Sequence, residues 1–223
     1  MTSRAVAASM YRLWNEHPRK WAFLKKRADR IHRCSDYLVF GDVVNPETGE
    51  VVRKLQAAEF CRDRLCPMCQ WRKSLVTFAQ VSEIMDWVDA HHAGEFIPIF
   101  LTLTMKNVPS AELGSAITTI LQSWSRMMNK AGNRKPWRVA AGWFRALEVT
   151  YNKDANTWHP HIHAVLLVPA DYFTNPDKYI DHDAWVAEWR RALRADYDPS
   201  VDVRTVKGDR AHAVAEVSKY AVK

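Results

Sequence analysis

His159-Pro160-His161-Ile162-His163-Ala164-Val165-Leu166-Leu167 alternates imidazoles with other side chains for five residues and then runs apolar. On a β-strand alternate residues share a face, so His161 and His163 point the same way with their backbones about 7 Å apart. Two imidazoles at that spacing can hold one ion, and a metal needs a third donor. Trp143 to Tyr151 reads as the preceding strand, and Asn152, Asp154 and Asn156 supply the turn between the two. Folding back at that turn brings Glu148 beside His161 or His163. A carboxylate with two imidazoles suits Mn²⁺ or Mg²⁺, with positions left open for phosphate oxygens. His159 has the same parity, but Pro160 can divert it. It reads as a nucleic-acid contact or as a group standing behind the ligands.

Outward from this strand, Phe96 to Met105 reads as another strand. Leu113, Ile117, Leu121, Trp124 and Met128 recur at helical spacing. Asp183 is placed to cap a helix carrying Trp185, Trp189 and Leu193. Val201 to Val206 reads as a fourth strand, and Asp209 opens a last helix. Strand, helix, hairpin, helix, strand, helix implies an α+β domain, a central antiparallel β-sheet with flanking helices.

The first 93 residues read differently. Nine Lys or Arg and two acids fall in the first 33 residues, with Trp21, Leu24, Ala28 and Ile31 at helical spacing. This predicts a basic amphipathic helix. Tyr37 to Phe40 and Val51 to Leu55 read as a hairpin turning at Asn45, Pro46 and Gly49. Pro67 then opens a long helix in which Trp71, Leu75, Phe78, Met85 and Val88 line one face. Gly94 ends that segment, so the expected division is 1–93, the basic helix and cysteine region with the long helix, and 94–223, the sheet domain.

Cys61, Cys66 and Cys69 lie within nine residues, and the C-x2-C pair can reach one ion from a single knuckle. Cys34, at the far end of the hairpin, is the expected fourth ligand, with His32 as its substitute. Four thiolates make a closed structural Zn²⁺ site.

The 223 residues carry a net charge of +7, a pI near 9.3 and 48% hydrophobic residues. A core can be buried, and a polyanionic partner is favoured. No apolar run approaches the roughly 18 residues that span a bilayer. Met1 to Arg12 lacks the apolar core of a signal peptide, so a cytoplasmic protein with no membrane partner is expected. The absence of a Gly-rich phosphate loop argues against a P-loop ATPase module. Arg126, Lys130, Arg134, Lys135, Trp137 and Arg138 read as a basic loop with one aromatic, suited to phosphates and base stacking. In the expected last helix Glu216 and Tyr220 are four residues apart, with Lys223 three further on, so the three share a face. A tyrosine so placed can act as a nucleophile. The same trio also fits an interfacial tyrosine flanked by helix-stabilising charges.

Taken together these segments resemble the replication initiators of small rolling-circle plasmids of the staphylococcal type, members of the His-hydrophobic-His (HUH) endonuclease superfamily. Phe100 to Asn107 looks like that family's first motif. Arg145 to Asn152 is similar to its glutamate strand, His159 to Leu167 to its metal motif, and Glu216 to Lys223 to its nucleophile motif. Arg64 to Arg72 matches its cysteine segment. The resemblance implies a nickase acting on single-stranded or supercoiled origin DNA, with a host helicase and polymerase as partners. It implies that Tyr220 attacks the scissile phosphate, keeps a 5′-phosphotyrosine and frees a 3′-OH. His161, His163 and Glu148 would hold the divalent ion. Glu216 would activate the water that ends replication, and Lys223 would steady the phosphate. The chain ends three residues after Tyr220, so a C-terminal part of the family's length is expected to be missing. Two other readings compete. One is a histidine-triad nucleotide hydrolase with His161 as nucleophile. The other is a zinc-stabilised DNA-binding module without catalysis.

Overall fold

The computed structural model describes residues 2–205. The expected last helix, with Asp209, Glu216, Tyr220 and Lys223, lies outside the described residues, as does Val206. The chain forms two compact units, one through Leu75 and one from Val76.

In the first unit, α1 (Ser3–Glu16) starts at Thr2, whose hydroxyl accepts from the Ala5 amide at 3.3 Å. The expected basic helix follows as α2 (Ala22–His32). Ala7 and Met10 of α1 pack with Leu24, Ala28 and Ile31 of α2, and Cys34, Cys66 and Cys69 join the same cluster. Helix α1 has no counterpart among the sequence expectations, because its buried residues are too few and too small to make a legible stripe. Strands β1 (Leu38–Val44) and β2 (Val51–Ala58) pair antiparallel from Val44↔Val51 to Leu38↔Ala58, turning where Gly49 adopts φ +73°.

Helix α3 (Pro67–His91) begins at the expected proline. Its expected stripe is corrected: Met85 is buried, but Trp71, Leu75 and Phe78 are exposed. The contact that sets the buried side is Val81 and Met85 against Phe144 and Leu167.

The second unit is a four-stranded antiparallel sheet of β3 (Phe96–Thr104), β4 (Gly142–Asn152), β5 (Thr157–Pro169) and β6 (Val201–Thr205), in the order β4-β5-β3-β6. The expected α+β architecture is present. Pro98 and Pro160 sit where their strands are paired on only one side: β6 begins its pairing at Ile99, and β3 ends its own at His161. A missing amide costs no ladder bond there.

One sheet face carries Ile99, Leu101, Leu103, Ile162, Ala164, Leu166 and Val168. It is covered by α4 (Leu113–Met127), α6 (His182–Leu193) and the short α5 (Lys135–Val139) through Ile120, Trp124, Met127, Val139, Trp185 and Trp189. Burying each such large side chain contributes about 1.5–3 kcal/mol. The Trp189 indole donates to the Thr104 carbonyl at 2.7 Å, tying α6 to the end of β3. The α6 cap is Asp181 rather than Asp183. Its carboxylate accepts from the Ala184 amide at 2.7 Å, because the helix opens at His182 and leaves Asp183 in its first turn. No described helix is long and apolar enough to cross a membrane.

Candidate functional site

The other face of the sheet holds the histidines. Between β4 and β5 the Asn152 side chain accepts from the amides of Asp154 and Ala155 at 3.0 and 3.1 Å, and Asn156 takes φ +50°. This closes a short turn with Asn152 opposite Thr157, and the register follows. Four residues back along β4, Glu148 stands directly opposite His161, and Ala146 opposite His163.

Glu148, His161 and His163 are each over nine-tenths buried. Both imidazoles aim Nε2 at one carboxylate oxygen, Glu148 Oε2, at 2.8 and 3.0 Å. His161 Nδ1 lies 3.1 Å from the His159 carbonyl. A carbonyl only accepts, so that bond needs the proton on Nδ1. Neutral His161 therefore turns a lone pair from Nε2 toward the carboxylate. A cation among the three groups satisfies both lone pairs, so this donor set can hold a metal. His163 Nδ1 lies 3.2 Å from Thr102 Oγ1, and the Phe100 ring stacks on His163 with centroids 5.7 Å apart. Thr102 was given no role from the sequence. What reveals it is the pairing Thr102↔His163, which joins strands far apart in the chain. The His159 ring lies 5.1 Å from that of His161. Burial holds the His159 imidazole below its ordinary pKa.

The four cysteines form the second cluster. Ladder contacts extend past the β1–β2 hairpin, with the Ser35 amide on the Glu59 carbonyl at 2.9 Å, and carry Cys34 back to Cys61. Arg62, at φ +55°, turns the chain so that its amide donates to Cys69 Sγ at 3.2 Å. All four sulfurs lie within 4.8 Å of one another, with Cys34–Cys69 at 3.5 Å and Cys61–Cys69 at 3.6 Å. Tetrahedral thiolates at about 2.3 Å from one ion stand about 3.8 Å apart, so the spacing fits a metal. His32 is exposed and is not part of the cluster. Burial raises the Cys61 and Cys69 thiols. At Cys66 burial pushes the same way, but the Ser3 hydroxyl and the neighbouring Cys69, Cys34 and Cys61 outweigh it and bring the thiol down to about 7. The sequence reading also missed Asp63. Its buried carboxylate takes both nitrogens of a fork from Arg27, at 2.7 and 2.9 Å, and a third contact from Arg30 at 3.3 Å. Two of the nine early cations thus clamp α2 to the cysteine loop.

The expected basic loop is partly helical, with Arg126 on α4 and Lys135 to Arg138 on α5. Arg126 donates to the Ala192 carbonyl at 2.7 Å, and Lys135 to the Tyr179 carbonyl at 2.5 Å. Arg134 faces Glu188 at 3.8 Å, and Trp137 stacks edge-on against Trp143 at 5.3 Å. Lys130 and Arg138 are exposed. Through Val139 and Trp143 this segment belongs to the helix-covered side of the sheet, not to the face with His161 and His163.

Residues 52–223 match the family described as replication protein. A protein rep of Streptococcus pneumoniae is 38% identical over 200 residues, covering 87% of this chain and 59% of that protein. One of Bacillus amyloliquefaciens is 36% identical, covering 89% of this chain and 60% of its own length. One of Staphylococcus aureus is 32% identical, covering 89% and 83%. The chain thus spans about three fifths of the length of the first two relatives. No solved structure matches it.

Proposed function

The chain belongs to the replication-protein family, and from that premise we propose that it initiates rolling-circle replication of a plasmid by nicking one strand at the origin. The observation that carries this reading is the convergence of His161 Nε2 and His163 Nε2 on one Glu148 oxygen. In this reading the three side chains hold Mn²⁺ or Mg²⁺. Such an ion, when bound, polarises a phosphate oxygen and orients the phosphate.

Tyr220 supplies the nucleophile. Its phenolic oxygen forms the bond to phosphorus, the bond to the 3′ oxygen breaks, and that oxygen leaves as a 3′-OH after taking a proton. Glu216 serves the closing step by accepting a proton from the water that hydrolyses the phosphotyrosine. Lys223 offers its charge to the phosphate. His159, half-buried beside His161, contacts the DNA strand or orients His161. The burial of Glu148, His161 and His163 strengthens their interactions with an ion. Incubating the protein with supercoiled origin plasmid tests the reading. Nicked circles should form with Mn²⁺ and not with EDTA, and equal nicking in EDTA would overturn it.

Lys130, Arg134 and Arg138 are proposed as phosphate contacts, with Arg126, Lys135 and Trp137 supporting them from the same segment. Each neutralised phosphate releases counterions, so log affinity should fall with log salt at several units of slope. A flat titration of origin oligonucleotide against salt would remove this segment from the DNA surface.

The four cysteines are proposed to bind one structural Zn²⁺, supported by the sulfur spacing given above. Protein purified without chelator should contain one zinc per chain by elemental analysis. Cys66→Ser should lose that zinc and unfold the first unit, since a structural zinc contributes about 10–16 kcal/mol in small zinc domains. Metal-free protein with unchanged circular dichroism would contradict it.

A further inference from the structure

The two histidines are held from behind by different chemistry. His161 Nδ1 meets a backbone carbonyl, which fixes its proton there, whereas His163 Nδ1 meets a hydroxyl, Thr102 Oγ1, at 3.2 Å. A hydroxyl can donate to a bare Nδ1 or accept from a protonated one. When Nε2 is taken by an ion, Nδ1 carries the proton, Thr102 accepts it, and the Thr102 hydroxyl proton must find an acceptor on its far side.

The register supplies one. Asp202 on β6 is the direct partner of Thr102, so the row His163, Thr102, Asp202 crosses three adjacent strands on one face. Asp202 Oδ2 is shielded from water and is ion-paired with Arg204 Nε, and a carboxylate has acceptor capacity beyond that one partner.

We propose that Thr102 is a positioning residue for the candidate metal site, setting the proton of His163 through its hydroxyl, and that Asp202 backs that hydroxyl as the acceptor. The row is a chain of carboxylate, hydroxyl and imidazole, in which the carboxylate makes the hydroxyl a better acceptor and the imidazole a better ligand. This rests on the metal reading of Glu148, His161 and His163.

The test is Mn²⁺ binding by calorimetry on the whole protein, without DNA and without turnover. Outer groups of this kind set metal affinity by about 10–100-fold. Thr102→Val keeps the shape and the strand preference while deleting the hydroxyl, and should weaken Mn²⁺ binding within that range. Thr102→Ser should restore it. Asp202→Asn should weaken it severalfold, with melting temperature and DNA affinity unchanged in all three. Thr102→Val binding Mn²⁺ as the parent does would overturn the inference while leaving the metal site intact. Asp202→Asn at parental affinity would remove Asp202 from the row. A parent protein that binds no Mn²⁺ would instead overturn the metal reading itself.

Discussion

His161→Ala or His163→Ala should reduce strand cleavage about a thousandfold or more while leaving origin binding nearly intact. The size follows from the ion the pair is proposed to hold. Loss of either imidazole leaves one nitrogen and one carboxylate, too few to keep an exchangeable divalent ion against water. The phosphate then loses several kcal/mol of charge stabilisation, and each 1.36 kcal/mol is tenfold in rate. DNA binding should persist because the proposed phosphate contacts, among them the exposed Lys130 and Arg138, lie in the segment on the helix-covered side of the sheet. Cleavage kinetics beside a binding titration check both halves. A variant that loses binding and cleavage together would mean that the histidines grip DNA or support the sheet rather than hold an ion. Parental cleavage in EDTA, lost in His161→Ala alone, would favour the histidine nucleophile of the nucleotide-hydrolase reading.

How much of this was legible in the sequence depended on distance along the chain. Glu148 and His161 lie 13 residues apart and are joined by a short asparagine-rich turn, so local rules fix their register. The parity of His161 and His163 needs only the strand period. The cysteine knuckle is equally local. Thr102, 61 residues from His163, was not legible, because nothing near either residue states how β3 and β5 align. Asp63 was missed for the same reason, its Arg27 partner lying 36 residues away. The basic segment shows the opposite failure. Its composition read as a free loop, but tertiary contacts draw Arg126 and Lys135 onto backbone carbonyls. The expected apolar stripe of α3 failed because which turn of a long helix is buried depends on what packs against it, here Phe144 and Leu167 at Val81 and Met85.

Tyr220→Phe should abolish nicking and covalent adduct together, with folding unchanged, since it deletes one oxygen and keeps the ring. Glu216→Ala should separate the two steps. Nicking and adduct formation continue, but hydrolytic release slows by about 10²–10⁴, the usual contribution of a general base, and the adduct accumulates. If Glu216→Ala blocks the first cleavage as completely as Tyr220→Phe, Glu216 assists Tyr220 or the ion and the termination role is wrong.

The most direct measurement is to incubate the protein with an origin single strand and Mn²⁺, digest it, and identify by mass spectrometry the peptide that carries the nucleotide. The account predicts a 5′-phosphate on Tyr220 with a free 3′-OH on the released fragment. A nucleotide on His161 or on another residue, or cleavage with no covalent intermediate, would contradict it.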